Sequence, residues 1–217
     1  MRIVIIANGV PPTDLEVSNW FRSGDTLCCA DGGARVALHL HIRPTMVVGD
    51  FDSLGSTELA QLKQLGTELV QHPREKEETD LELALMWAVS LGPDEIIILG
   101  ALGGRSDQML ANIMLLALPQ LQHVSVIIVS ERERLVLLQP TVRNIISGSV
   151  GDTISLLPIG GDVDAVTTEG LQYPLRGESL RFGPARGVSN VLVAREASVC
   201  YSSGRLLCIH SVTSGAE

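Results

Sequence analysis

Two aspartates flank a phenylalanine in "VVGDFDS", residues 47–53, where an apolar run ends. On extended chain, residues two apart point to the same side, so Asp50 and Asp52 would face together with Phe51 turned into apolar company. Like charges that close are costly unless a cation lies between them or one takes a proton. Mg²⁺ suits such a pair, because it binds one or two carboxylates and leaves positions for substrate phosphates. The plainer role for either acid is to cap a turn or the following helix.

Other acids and glycines stand at comparable places. "CCADGG" closes another apolar run with Asp31, Gly32 and Gly33. "KEETDLEL" sets Thr79 and Glu82 at capping-box spacing, with Asp80 in the first turn of a helix; Asp80 therefore has a structural role available as well as a chemical one. Lys76, one of two lysines, lies close enough in sequence to reach a phosphate or to remain a solvated charge. In "GALGGRSD", Gly103 and Gly104 permit close backbone approach to a ligand, Arg105 offers a fork for phosphate oxygens, and Asp107 ends the stretch. A tight strand-to-helix turn explains the same glycines, with Ser106 as the expected helix N-cap. The histidines His39, His41, His72, His123 and His210 form no metal-like spacing.

The elements that must position these residues follow two rhythms. Up to about residue 138, continuously apolar runs ("RIVIIA", "DTLCCA", "TMVVGD", "EIIILGA", "HVSVIIVS") alternate with helix-like stretches such as Leu81 to Leu91 and Gln108 to Leu118. That alternation predicts an open, mostly parallel, Rossmann-like α/β sheet, with ligands outside the carboxyl ends of its strands. From 139 to 217 the runs are short and β-like and turn pairs crowd in, which predicts an all-β sandwich or barrel. The boundary is expected near "LLQPTVRN".

At 217 residues and 45% apolar content, the chain can bury a substantial core in one large domain or two small ones. A net charge of −9 argues against a sequence-independent grip on nucleic acid. No apolar run reaches the ~18–20 residues of a membrane helix. Cys28, Cys29, Cys200 and Cys208 form no CxxC, so buried thiols and a cytoplasmic location are expected.

In order along the chain, "ADGGA" (30–34), "VGDFDS" (48–53), "KEETD" (76–80), "GGRSD" (103–107), "SLLP" (155–158), "TEGLQYPL" (168–175) and "GVSN" (187–190) resemble the blocks of the thiamine pyrophosphokinase (thiamine diphosphokinase) family. The resemblance implies diphosphoryl transfer from ATP to thiamine with release of AMP, by a homodimer whose sites draw on both subunits. It implies an α/β nucleotide domain over 1–138 and a thiamine-binding sandwich over 139–217. It further implies Mg²⁺ on Asp50, Asp52 and Asp80, with Asp107 beside them. Asp31, Gly32, Gly33, Lys76, Gly103, Gly104 and Arg105 would contact ATP, and Ser189 and Asn190 would lie near thiamine.

Three positions depart from the family's pattern. Glu77 stands where the block usually has aspartate, Gln108 where it has histidine, and Val191 where an acid follows Ser-Asn. The aromatics of the C-terminal half are Tyr173, Phe182 and Tyr201. Two rival readings share the local chemistry. One is a nucleotide-sugar glycosyltransferase using the Asp-x-Asp pair, against which the small β domain argues. The other is a nucleotide- or thiamine-sensing protein that binds without turnover.

Overall fold

The computed structural model describes residues 1–213 and divides the chain into two compact units, Met1 to Glu131 and Arg132 onward. In the first unit the strands are β1 (Arg2–Ile6), β2 (Thr26–Ala30), β3 (Met46–Gly49), β4 (Glu68–Gln71), β5 (Glu95–Leu99) and β6 (Ser125–Val129). They lie in the order β6-β5-β1-β2-β3-β4, every pair parallel. Helices α1 (Asp14–Trp20), α2 (Ala34–His39), α3 (Ser56–Gln64), α4 (Asp80–Ser90) and α5 (Ser106–Met114) fall between them. Ile3 to Ile6 and Ile96 to Leu99 are wholly buried, as continuous apolar strands covered on both faces must be.

The chain moves outward from β1 through β4 and then returns to place β5 on β1's other side. That reversal makes a topological switch point between β1 and β5, where open α/β sheets bind ligands. β4 has no continuous apolar run and was not among the expected strands; it forms the exposed edge, and backbone pairing with β3 sustains it.

Two helix expectations need correction. Ser106 is the first helical residue of α5 rather than its cap, and Arg105 holds the N-cap position without a side-chain hydrogen bond. On the same helix Leu110 and Met114 are exposed, while Asn112 is the buried residue, so the apolar spacing does not mark the inward face. By contrast α4 buries Leu81, Ala84, Leu85 and Ala88, and Thr79 Oγ1 caps it by accepting from Glu82 N.

The second unit contains β7 (Glu133–Leu137), β8 (Asn144–Ser147), β9 (Thr153–Pro158), β10 (Val163–Glu169), β11 (Arg176–Leu180), β12 (Asn190–Val191), β13 (Glu196–Cys200) and β14 (Leu206–Ser211). β12-β9-β14-β7 and β11-β10-β13-β8 form two antiparallel layers, and one core of Ile154, Leu156, Val163, Val166, Val199 and Leu206 lies between them. No helix occurs in this unit among the described residues. The unit begins at Arg132 because β7 pairs antiparallel with β14; the sequence-based boundary had set β7 with the α/β half.

Candidate active site

The carboxyl ends of β1, β2, β3 and β5 open on a cleft of about 570 Å³. Asp31, Asp50, Asp52, Asp80, Gly103, Gly104, Arg105 and Gln108 line it, together with Asn8 from the loop after β1. Each side chain arrives there for a local reason.

Asp31 follows β2 directly, in a left-handed conformation at φ +44° that opens the short 3-10 turn Asp31–Gly33. It is only 2% exposed. Its Oδ2 accepts from Asn8 Nδ2 at 3.2 Å, and its Oδ1 is buried with no hydrogen bond. Burial pushes this carboxyl above the usual aspartate range, and the charges of Asp80 and Asp50 add to the push. The Ser53 hydroxyl and Gly32 N–H pull partly back.

Asp50 and Asp52 converge, but not along an extended strand. β3 ends at Gly49, and Phe51 takes φ +65° with its ring buried in the sheet's core. Asp50 Oδ1 accepts from Asp52 N at 3.0 Å, closing a turn that turns both carboxylates inward. Gly49 is required beneath them: a Cβ there would lie 2.9 Å from Asp31 Cβ and 3.3 Å from Asp80 Cγ. Carboxylate oxygens of Asp31, Asp50 and Asp52 consequently lie within 4.8 Å of one another. Three negative groups that close, one of them buried, suit a divalent cation, and the set is all oxygen as Mg²⁺ requires.

Asp80 lines the same cleft but is not part of the trio. Lys76 Nζ lies 2.9 Å from its Oδ1 as an ion pair, at an angle that leaves this oxygen without a hydrogen bond. Lys76 is thus committed to an acid in this conformation. Asp107 is exposed and gripped by the Arg105 fork at 3.1 and 2.6 Å. That grip, with the N–H of Gln108, holds its carboxyl below the usual range. Glu77 is exposed and is not among the cleft's lining residues.

Gly32 and Gly33 serve packing. A Cβ on Gly33 would lie 2.8 Å from the Ile6 carbonyl carbon, and one on Gly32 would collide with the Asn8 side chain. Gly103 and Gly104, at φ +75° and +70°, shape the loop after β5. Buried Asn112 anchors that loop from α5 through a 2.8 Å bond to Ala101 O. Gly9 N donates to Gly100 O at 2.8 Å, laying the β1 loop against it. Asn8 and Asn112 had no signal in the sequence: Asn8 acts across to the ends of other strands, and Asn112 reaches back from a helix to the loop before it.

In the second unit Asn190 is 8% exposed and bonds both backbone groups of Tyr173, accepting from N at 2.9 Å and donating to O at 2.7 Å. Ser189, at φ +59°, donates its N–H to Ser155 Oγ. The Tyr173 and Phe182 side chains are exposed, whereas Tyr201 is buried with its hydroxyl on Leu138 O.

An α/β unit with an acidic cleft at its switch point, followed by a β-sandwich, defines a two-part ligand-handling protein. Comparison with known proteins gives that description a family. A sequence model described as thiamin pyrophosphokinase, catalytic domain, matches residues 17–128. Another, thiamin pyrophosphokinase, vitamin B1 binding domain, matches 143–206. The thiamine pyrophosphokinase of Bacillus subtilis is 30% identical over 212 residues, covering 97% of this chain and 99% of the relative. Thiamine pyrophosphokinase 1 of Arabidopsis thaliana is 29% identical over 85% of this chain and 77% of its own. A crystal structure of thiamine pyrophosphokinase from Bacillus subtilis superposes with a TM-score of 0.88 at 27% identity, over 99% of this chain and 100% of that one. The chain belongs to the thiamine pyrophosphokinase family and is an enzyme of that family.

Proposed function

We propose that this enzyme transfers a diphosphoryl group from ATP to the hydroxyl of thiamine, giving thiamine diphosphate and AMP, with Mg²⁺ held by its aspartates. The observation that carries the reading is the convergence of Asp31, Asp50 and Asp52, with one buried carboxylate oxygen left unpartnered. Asp50 and Asp52 would hold the cation with Asp31 as the third acid. Asp80 would join on the cleft wall once Lys76 exchanges it for a phosphate. Mg²⁺ bound there would neutralise charge developing on the transferring phosphate oxygens.

The protein's own groups supply the rest. The loop glycines Gly103 and Gly104 leave room for backbone approach to the polyphosphate, and Arg105 offers it a guanidinium. The thiamine oxygen attacks the β-phosphorus, its bond to the α–β bridging oxygen breaks, and AMP leaves with that electron pair. The hydroxyl proton must pass to an acid or to water. Asp107 is held by Arg105 and Asp80 by Lys76, so either carboxylate would have to release its cation before taking that proton. In the second unit, Asn190 fixes the Tyr173 backbone, which supports Ser189, Asn190 and the exposed Tyr173 ring as a thiamine platform. A second copy of the chain and a cytoplasmic setting complete the proposal. The first rests on the family resemblance; the second is consistent with no helix among the described residues being long and apolar enough to cross a membrane.

Incubation with ATP, Mg²⁺ and thiamine, followed by separation of nucleotides, tests the reaction. AMP forming in step with thiamine diphosphate is expected. ADP with thiamine monophosphate would mean single phosphoryl transfer, and ligand binding without either product would mean a sensor. Asp52→Asn should lower turnover by at least ~100-fold with the fold intact, because a neutral amide is a poor Mg²⁺ ligand. Near-normal rates in that variant at saturating Mg²⁺ would remove the metal from the mechanism.

A further inference from the structure

Asn8 leaves β1 at the switch point and is exposed, yet its amide nitrogen makes two hydrogen bonds. Nδ2 donates to Asp31 Oδ2 at 3.2 Å and to Ser53 Oγ at 3.1 Å. Ser53 Oγ in turn donates to Asp52 Oδ1 at 3.3 Å. One amide therefore links the acid after β2 to the turn after β3, and so connects both flanks of the carboxylate trio. Like-charged groups do not hold one another in place; Arg74 lies 3.4 Å from Asp52 on the exposed side, and Asn8 is the neutral donor that reaches Asp31 and Ser53.

The seat for this amide is prepared by Gly32. The nearest atoms to a Cβ built on Gly32 all belong to Asn8, including Cγ at 2.7 Å and Nδ2 at 2.9 Å. Gly32 is not at a positive φ, so its backbone would accept alanine; what excludes a side chain there is Asn8. Resting on the cation reading above, we propose that Asn8 is a positioning residue that orients Asp31 and Ser53 for the cation site, and that Gly32 is glycine in order to admit it.

The proposal predicts coupling between Asn8 and Gly32, whose added Cβ would meet the Asn8 side chain. Mn²⁺ binding to the full chain without nucleotide, followed by electron paramagnetic resonance, reads it directly. Asn8→Ala should weaken Mn²⁺ binding about tenfold, the scale on which losing a ligand's orienting partner acts. Gly32→Ala should weaken it similarly, because the methyl pushes the Asn8 amide off both partners. The double variant should bind no worse than either single variant, since the three atoms nearest the methyl are those that Asn8→Ala removes.

Unchanged Mn²⁺ affinity in Asn8→Ala would overturn the proposal, as would a double variant weakened by the product of the single effects. If Gly32→Ala lowers the melting temperature, its recovery in the double variant supports the seat and a persistent loss overturns it. Wild-type protein that binds no Mn²⁺ would overturn the cation reading itself and this inference with it. Binding that survives Asn8→Ala sinks this inference alone.

Discussion

Asp31 combines three features that each oppose folding: a left-handed backbone, near-complete burial, and a carboxylate oxygen with no partner. Its raised pKa means that the folded state binds its proton more tightly than the unfolded chain does. Stability is therefore fullest below the ordinary value of 3.8 and falls as pH rises through the folded value, remaining lower at neutral pH. Asparagine tolerates the left-handed region and removes the charge alone. Asp31→Asn should be more stable than wild type at pH 7 in EDTA, because it keeps the backbone and the buried polar atoms but removes the charge that burial disfavours. The difference should vanish near pH 3, and Mn²⁺ binding should be lost. Urea unfolding at both pH values checks it, and a variant less stable at pH 7 would show that the charge is satisfied after all. Such opposition of stability and function is what made the pair at 50 and 52 legible, since acids at a strand end ask for an explanation. Asn8 was illegible because Asn-Gly after an apolar run reads as a turn whether or not its amide reaches two other strands.

Among the elements, continuously apolar strands and α4 were readable, the inward face of α5 was not, and neither were strands sustained by pairing. α4 buries the face its spacing marks, whereas β4 exists through its bonds to β3 and β7 through its bonds to β14. The turn before β9 shows the same dependence on distant partners. Asp152 is 2% exposed and accepts from Ser149 N at 2.8 Å and Thr213 N at 3.0 Å, with His210 Nε2 of β14 at 2.8 Å. Burial opposes its ionisation, but the Ser149 N–H, His210 and the Thr213 N–H outweigh burial and leave its pKa lowered. For an acid held low, the stabilisation is present above the ordinary value of 3.8 and is lost as pH falls through the folded value. Asp152→Asn should thus cost about 1.5–3 kcal/mol at neutral pH, the scale of hydrogen bonds to a charged group. Wild type and variant should converge in acid below that value. Denaturant midpoints measured from pH 7 down to pH 2 decide this, and equal midpoints at pH 7 would mean that the buried carboxylate contributes nothing to the sandwich.

For the whole molecule, charge sets the terms on which its substrate arrives. The chain carries −9 in total and concentrates Asp31, Asp50, Asp52 and Asp80 in the cleft, so a free nucleotide polyanion meets repulsion both at a distance and on contact. On the proposed function, a cation shared between acids and phosphates would reverse that sign and would make nucleotide binding depend on metal rather than merely improve with it. Composition conveyed the net charge, but only the folded sheet shows that four acids from two strand ends and one helix start share a single cleft. The two-part organisation was readable from the change of rhythm, while the trio required β2 and β3 to lie side by side. Thermal melts test the dependence. With Mg²⁺, ATP at about 100 times its dissociation constant should stabilise the protein by ~2.7 kcal/mol. For a chain of this size that corresponds to a rise in Tm of roughly 5–11 °C. With EDTA the same ATP should leave Tm within about 1 °C of the free protein, because repulsion in the acidic cleft removes most of the affinity. An equal rise in EDTA would show that ATP binds through Arg105, Lys76 and backbone N–H groups without a bridging cation, and the convergence of Asp31, Asp50 and Asp52 would then need another cause.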